Sequence, residues 1–433
     1  MSVVVSKSSP VVLYPAEPQA PAGDVQLSSF DQRIPPFACT LLLMFDHPID
    51  NPIETIKRAL SRALVPYRPV CGRLAGADHS IVCTDEGVPF VGASASCALD
   101  LEKVTPALLA DLAVAYAGPF CRRADPLLQM QATEFSCGGF VVGVTSNHVL
   151  ADGIGIGQFL QAVGELARGM PQPSVIPVRS AAAIRDLPPP TATAEERRSL
   201  MKPKEKEGQG AFLDIIVPSS LIGRVKAKCA CTLFEAVTAV LWRCRTRAAI
   251  QDPEAPAPLV FPNNARELFG AHDGYYGNCT IMKSVRATRA QVADGDIRDV
   301  VRHIRRGKET LLQAEAEGGG AETGGDLYNR LAVSSWRRIG FDAADFGGGT
   351  PARVMWHEDR MVVPECIVCP PWKGKDGVNV QSLPPSWPSS PQCDVIPCSF
   401  FTPPRSRPQL PKRRIQPKYV KVSLRWKQVL VVV

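Results

Sequence analysis

Two apolar runs, Leu127–Glu134 and Gly138–Ser146, constrain the fold more than any other stretch. A Cys137-Gly138-Gly139 turn joins them. Phe140, Val141, Val142 and Val144 show no polar alternation, as expected of a buried strand. The run stops at Asn147-His148-Val149-Leu150-Ala151-Asp152-Gly153. Beyond it, Ile156, Phe159, Leu160, Val163 and Leu166 recur mostly every three to four residues, the spacing of an amphipathic helix. The order is strand, polar loop, helix, with His148 at the junction.

The same patterning locates the other elements. Ala38–Phe45 reads as a strand, and Pro52 opens a helix carrying Ile56, Leu60, Ala63 and Leu64 that Pro66 bounds. Pro106–Tyr116 is expected to be helical. Ser219 is expected to cap a helix with Leu221, Ile222 and Val225, and Thr232 with Glu235 forms a capping box ahead of Phe234–Trp242. A further helix is expected from Asp296 to Glu315, and strand-like runs at Met361–Val363, Cys366–Cys369 and Val378–Val380. Between Pro171 and Gly210 periodicity disappears, and Pro188-Pro189-Pro190 with the charged run Lys202–Glu207 marks an exposed connection. The expectation is a mixed α/β chain: an N-terminal domain over 1–175, an exposed crossover linker over 176–212 and a C-terminal domain over 213–382. An atypical tail, dense in Pro and basic residues, follows over 383–433.

Composition narrows the function classes. The 433 residues are 45% hydrophobic and 21% charged, a globular balance, and the length suits two domains of ordinary size. No continuous apolar run is long enough to span a membrane. The N-terminus lacks the basic and apolar regions of a signal peptide, so a cytoplasmic location is expected. The 14 cysteines are too dilute for a disulfide scaffold, and most fall in apolar runs, as at Cys71, Cys83, Cys97, Cys229 and Cys231. They read as buried, reduced thiols. Cys229 and Cys231 are one residue apart with no ordered ligand set after them, so no metal site is expected. The net charge of +7 belongs to the tail, where nine Lys or Arg face one acid, Asp394. A near-neutral body argues against a nucleic-acid partner.

His148 is the residue with chemistry to offer. An imidazole has an ordinary pKa of about 6.5, which makes it the usual proton acceptor near neutrality. A strand that ends at the ring holds it more firmly than a surface loop would. Asp152 can accept backbone hydrogen bonds or pair with an Arg. Gly153, Gly155 and Gly157 allow close approach at a helix start, where N–H groups can face an anionic or polarised group. A His and an Asp four residues apart are nevertheless a common coincidence and carry no function by themselves. There is no G-x-S-x-G elbow, no G-x-G-x-x-G fingerprint and no phosphate-binding G-x-x-x-x-G-K-[ST], which disfavours serine hydrolase, dinucleotide and phosphoryl chemistry.

Taken together, several segments resemble the plant BAHD acyltransferase family. Its H-x-x-x-D-G motif is matched by His148-Val149-Leu150-Ala151-Asp152-Gly153, and its D-F-G-W-G motif by Asp345-Phe346-Gly347-Gly348-Gly349. Its Y-F-G-N stretch is matched by Tyr275-Tyr276-Gly277-Asn278-Cys279, and an N-x-x-R element by Asn263-Asn264-Ala265-Arg266. Leu27-Ser28-Ser29-Phe30-Asp31 and Pro66-Tyr67-Arg68-Pro69-Val70-Cys71-Gly72-Arg73 resemble its L-S-x-x-D and Y-P-x-A-G-R segments. The likeness runs from about residue 5 to 381. It extends to the cereal subgroup of tryptamine benzoyltransferases and hydroxycinnamoyltransferase-like enzymes.

The resemblance implies two chloramphenicol-acetyltransferase-like domains, each a mixed β-sheet with flanking helices, and a channel between them. It implies that His148 is the catalytic base, with Asp152, Gly153 and Arg266 supporting it through an Asp152–Arg266 pair turned away from substrate. Acyl-CoA would be the co-substrate of a monomer, an amine or alcohol the acceptor, and neither a bound cofactor nor a metal is required. Asp345, Phe346, Gly347 and Gly349 would form a second motif region, a brace near the CoA entrance. Tyr276, Gly277 and Asn278 would lie in the acyl-CoA or channel vicinity. Three departures stand out. Gly348 replaces the usual Trp, Tyr276 replaces Phe, and the tail from Leu383 lacks the strand and acidic helix with which relatives continue. That last departure leaves an inactive homologue with a binding or regulatory role as the alternative, beside an O-acyltransferase acting on an alcohol.

Overall fold

The computed structural model describes residues 4–17, 23–75, 80–118, 120–188, 212–309, 330–357 and 365–382. Among these, two large mixed sheets dominate. The first contains β1 (Val5–Lys7), β2 (Val11–Leu13), β4 (Ala38–Phe45), β7 (Val88–Ala95), β8 (Leu128–Phe135), β9 (Phe140–Asn147) and β14 (Arg353–His357). Its order is β1-β7-β8-β9-β4-β14, with β2 also on β7; β7 and β8 run parallel, the other pairs antiparallel. The second runs β10 (Leu213–Val217), β16 (Val378–Ser382), β15 (Glu365–Val368), β13 (Leu331–Ser335), β11 (Leu259–Asn264), β12 (Thr280–Val285). A small sheet of β3 (Val25–Gln26), β6 (Ser80–Val82) and β5 (Arg73–Ala75) completes the strands.

Helices α1 (Pro52–Ala63) and α3 (Gly153–Ala167) cover one face of the first sheet. Ile56, Leu60 and Ala63 from α1 and Phe159, Leu160 and Val163 from α3 share a core with Leu41, Leu43, Phe140, Val142 and Val144. Fully burying one such large side chain contributes about 1.5–3 kcal/mol, so the two helix stripes together fix how α3, and the loop before it, meets the sheet. In the second half, α4 (Ser219–Lys228) and α5 (Leu233–Ala249) pack together, and the capping box at Thr232 and Glu235 opens α5 as expected.

Several expectations need correction. α2 spans only Pro106–Asp111 instead of reaching Tyr116. The chain leaves the helix because Leu112 and Ala113 press onto β9 at Gly143, where an added Cβ would lie 2.1 Å from the Leu112 carbonyl oxygen. Gln131 Nε2 takes the freed Asp111 carbonyl at 2.8 Å. Pro218, not Ser219, caps α4; Ser219 is its first residue and its hydroxyl donates to Asp376. The helix expected over Asp296–Glu315 runs Ile297–Glu309, and the remainder lies outside the described residues, as do Met361–Val363 and the tail over 383–433.

The linker expected over 176–212 is exposed only in part where it is described, as at Ile176, Arg185 and Asp186. Arg179, Ala183, Ile184 and Leu187 are buried, the last three packing with Phe30, Phe269 and Tyr275. Of the cysteines expected to be buried, Cys71 is, whereas Cys83, Cys97, Cys229 and Cys231 are half-buried; all are free thiols. The C-terminal range 213–382 also sends one strand across. β14 pairs with β4 of the first sheet, from Arg353 opposite Met44 to His357 opposite Thr40. Its Val354, Met355 and Trp356 are buried, so this addition covers what would otherwise be an apolar edge. Arg353 on β14 pairs with Asp214 on β10 and lies 3.9 Å over the Trp372 ring, stitching the two sheets together.

Candidate active site

His148 is the first residue past β9. Its amide N–H donates to the Phe37 carbonyl at 2.9 Å, and its own carbonyl accepts from Asn278 Nδ2 at 3.0 Å. Asn147 is fixed on the strand side by its amide bond to the Leu127 carbonyl, and its side-chain Oδ1 accepts from the Val149 N–H at 3.1 Å. The imidazole stacks on Phe37, centroids 4.8 Å apart, and is half-buried. Desolvation holds its pKa below the ordinary value, with the Asp152 charge the largest opposing influence. A lowered pKa on a base means a neutral ring at physiological pH, with a lone pair free to take a proton.

Asp152 is the N-cap of α3 and is buried. Arg266 grips it with two bonds of 2.8 Å, Nη1 to Oδ2 and Nη2 to Oδ1. Oδ1 also accepts from the Gly155 N–H at 3.1 Å, and Oδ2 from the Cys279 N–H at 3.0 Å and the Thr280 hydroxyl at 3.2 Å. Burial pushes its pKa up, but Arg266 and the N–H donors outweigh that and hold it below the usual carboxylate range. With five donors around it, this carboxylate is occupied in joining the His loop to the 264–280 segment. The pairing implied by the resemblance is therefore present.

A second buried ion pair lies behind the loop, one that sequence reasoning missed. Arg179 Nη1 meets Asp31 Oδ2 at 3.0 Å, with Asp31 fully buried and the Arg179 side chain 2% exposed. Arg179 Nε and Nη2 also donate to the Leu150 and Val149 carbonyls, at 3.2 and 3.4 Å. Asp31 accepts from the Ser28 N–H and hydroxyl and from the Asn278 N–H and Nδ2. Asp31 stood in a quoted motif, but no local spacing joins it to an arginine 148 residues away in a stretch that read as exposed.

The structure places one group differently from the sequence expectation. Gly155 and Gly157 do not leave helix N–H groups open to a ligand. A Cβ on either would fall about 2 Å from a backbone oxygen, that of Tyr276 or Ile339, so these glycines serve close chain packing. Tyr276 and Asn278 are buried behind the His148 loop, and the Gly277 carbonyl accepts from Arg266 at 2.8 Å. The Asp345 turn is not beside His148. Phe346 packs on Phe45, at the end of the β4–β9 pair opposite Asn147. At about 3.3 Å per residue along an eight-residue strand, roughly 23 Å separates the two ends.

The Asp345 segment is a brace. Asp345 Oδ1 accepts from the Gly347 and Gly349 N–H groups at 2.8 and 2.9 Å, and both glycines have positive φ, 127° and 113°. His47 stands where a side chain at 348 would go: an added Cβ would lie 2.4 Å from its Cδ2 and 2.9 Å from Ile49 Cγ2. Restoring the usual Trp by Gly348→Trp is expected to destabilise the protein by about 1–3 kcal/mol, and adding His47→Ala to recover most of the loss. Chemical denaturation of the two single variants and the double variant reads this, and strictly additive effects would contradict it.

Tyr276 has a related cost. Its ring packs 4.9 Å from that of Tyr67, but its hydroxyl is buried without a partner, and desolvation pushes its pKa far up. Tyr276→Phe is expected to raise stability by about 1 kcal/mol, the penalty of an unmade hydrogen bond. A lowered denaturation midpoint would show that the hydroxyl is satisfied in solution. Among the described residues no group of three or more His, Cys, Asp or Glu is placed to hold a metal.

Comparison with known proteins gives this geometry its setting. The model of the Transferase family matches residues 2–385, stopping close to where the Pro-rich tail begins. The chain is 43% identical over 417 residues to acyl transferase 15 of Oryza sativa subsp. japonica, covering 88% of this chain and 95% of that protein. It is 33% identical over 385 residues to a myricetin 3-O-glucosyl 1,2-rhamnoside 6'-O-caffeoyltransferase of Crocosmia x crocosmiiflora, covering 81% and 88%. It is 31% identical over 378 residues to the 3'-N-debenzoyl-2'-deoxytaxol N-benzoyltransferase of Taxus canadensis, covering 81% and 84%. Among solved structures, vinorine synthase superposes with a TM-score of 0.74 at 22% identity, over 88% of this chain and 95% of that one. Fold and relatives together define an acyltransferase acting on small molecules of specialised metabolism. The chain belongs to the transferase family of plant BAHD acyltransferases.

Proposed function

We propose that this protein transfers an acyl group from acyl-CoA to an amine or hydroxyl, with His148 as the base. One observation carries the reading. A half-buried imidazole, kept neutral by desolvation, stands at a strand end whose backbone is tied on both sides. In the reaction, Nε2 removes the acceptor's proton as its nitrogen or oxygen attacks the thioester carbonyl. The C–N or C–O bond forms, the tetrahedral oxyanion collapses, and the C–S bond breaks. The leaving CoA thiolate takes the proton from the imidazolium, which returns the ring to its neutral state. Both substrates are held at once, in a channel between the two sheets, so proximity supplies much of the acceleration. Asp152 and Arg266 hold the loop and take no proton.

The favoured acceptor is an aromatic amine such as tryptamine, with a benzoyl or hydroxycinnamoyl donor. The likeness to the cereal subgroup and a relative named for N-benzoyl transfer support it. O-transfer to an alcohol is the second reading, favoured by the slightly greater identity to an O-caffeoyltransferase. Purified protein is incubated with benzoyl-, coumaroyl- and acetyl-CoA against a panel of amines and alcohols, and free CoA is measured. Release that requires an acceptor supports the reading, and the best acceptor separates N- from O-transfer. Absence of acceptor-dependent release with every pair would sink it and leave a binding role.

A further inference from the structure

Four polar atoms at the active-site loop are buried without a hydrogen-bond partner: Asn147 Nδ2, the Tyr276 hydroxyl, Asn278 Oδ1 and His148 Nδ1. Asn278 and His148 are already in contact. The Asn278 Nδ2 group lies 2.9 Å from Asp31 Oδ1, 3.0 Å from the His148 carbonyl and 3.2 Å from the Val149 carbonyl. All three are acceptors, so the nitrogen must occupy that corner. Turning the carboxamide over would set Oδ1 against a carboxylate and two carbonyls. The orientation is therefore decided by the surroundings, and it leaves Oδ1 as an acceptor with no donor. On the residue whose carbonyl this amide touches, Nδ1 can carry a proton and makes no hydrogen bond of good geometry, with its own backbone carbonyl and the Asn278 side chain the acceptors near it.

We propose that Asn278 is a positioning residue for His148: its Oδ1 accepts Nδ1–H, which keeps the ring proton on Nδ1 and the Nε2 lone pair free for the acceptor's proton. When Nε2 becomes protonated during transfer, the same oxygen faces the charged imidazolium and eases its formation. The charged groups around the ring are accounted for. Asp152 and Asp31 both favour the imidazolium, and each is paired with an arginine, Arg266 and Arg179. The residue's own backbone carbonyl and the Asn278 side chain act in the same direction, against desolvation. Asp31 and Arg179 thereby gain a role at a distance, since they hold the amide that holds the ring.

The inference rests on His148 being the base, but its test does not depend on turnover. Of the six histidines in the chain, His148 is assigned in 15N-imidazole spectra by its loss in His148→Ala. The wild-type ring is expected to be protonated at Nδ1 and bare at Nε2. In Asn278→Ala the Nε2–H tautomer should appear and the ring's pKa should fall. Turnover should drop about tenfold or more, with the KM for acyl-CoA within about twofold. Asn278→Ser, which keeps a hydroxyl for Asp31, replaces the Ala variant if that does not fold. A tautomer and pKa unchanged in a folded variant would overturn the proposal, even with reduced activity. So would full turnover. If neither variant folds, the wild-type spectrum decides, a ring protonated at Nε2 overturning the idea and one protonated at Nδ1 supporting it. Should the wild-type protein transfer no acyl group, the proposed activity fails while the tautomer result stands.

Discussion

Replacing His148 by Ala is expected to lower kcat/KM by a factor of about 10²–10⁴ while leaving the protein folded. The loss is this large because, among the described residues, neither carboxylate that acts on the ring can take over. Asp152 is buried and saturated with five donors. The next carboxylate, Asp31, is fully buried and paired. Stability should change little, within about 1 kcal/mol, because the ring is half-buried and donates nothing to the loop's backbone bonds, which Ala retains. The pH profile adds a second reading. Desolvation lowers the His148 pKa, so protonation, and with it loss of the base, begins only below the usual histidine value. Wild-type activity should fall on the acid side at a pH below that expected of an ordinary histidine, and the residual activity of His148→Ala should lack that fall. An amine acceptor adds its own titration at higher pH, which the variant keeps, so the two limbs are separable. A variant that turns over at the wild-type rate would remove His148 from the mechanism.

How much of this was legible depended on whether a feature is local. The β8–β9 hairpin, His148 and α3 follow one another within about forty residues, and their periods of burial are written in the order of Phe, Val and Leu. The Thr232–Glu235 cap is a contact three residues long. Partners far apart leave no such trace. Asp152 and Arg266 are 114 residues apart, and only the likeness of two motifs to a known family joined them. Asp31 and Arg179 met no motif pair and were missed. The run Arg353–His357 is apolar enough to be a strand, but nothing in it names β4 as its neighbour, since register is set by the surfaces that meet in space. The glycines of α3 were misjudged for a related reason. A missing side chain admits either a ligand or another stretch of chain, and only the positions of Tyr276 and Ile339 decide between them.

Asp152→Ala should damage the fold instead of the chemistry, by about 3–5 kcal/mol, the usual cost of breaking a buried pair. Three losses combine at this one residue. The Arg266 guanidinium, its side chain only 16% exposed, keeps its charge without its carboxylate. The Cys279 N–H and the Thr280 hydroxyl lose an acceptor in the interior, and α3 loses its N-cap bond to Gly155. Since α3 carries the core stripe that fixes the His loop, soluble yield and denaturation midpoint should fall together. The pH dependence has a definite sign. The folded carboxyl is held below its ordinary value, so its stabilisation is present above the unfolded pKa, near 3.9, and lost as pH falls through the folded one. The gap between wild type and Asp152→Ala should thus be full at pH 7 and narrow in strong acid. Combining Asp152→Ala with Arg266→Ala should cost less than the sum of the two, because the stranded charge disappears. Additive losses, or a midpoint that Asp152→Ala leaves unmoved, would mean that the loop is held by something other than this pair.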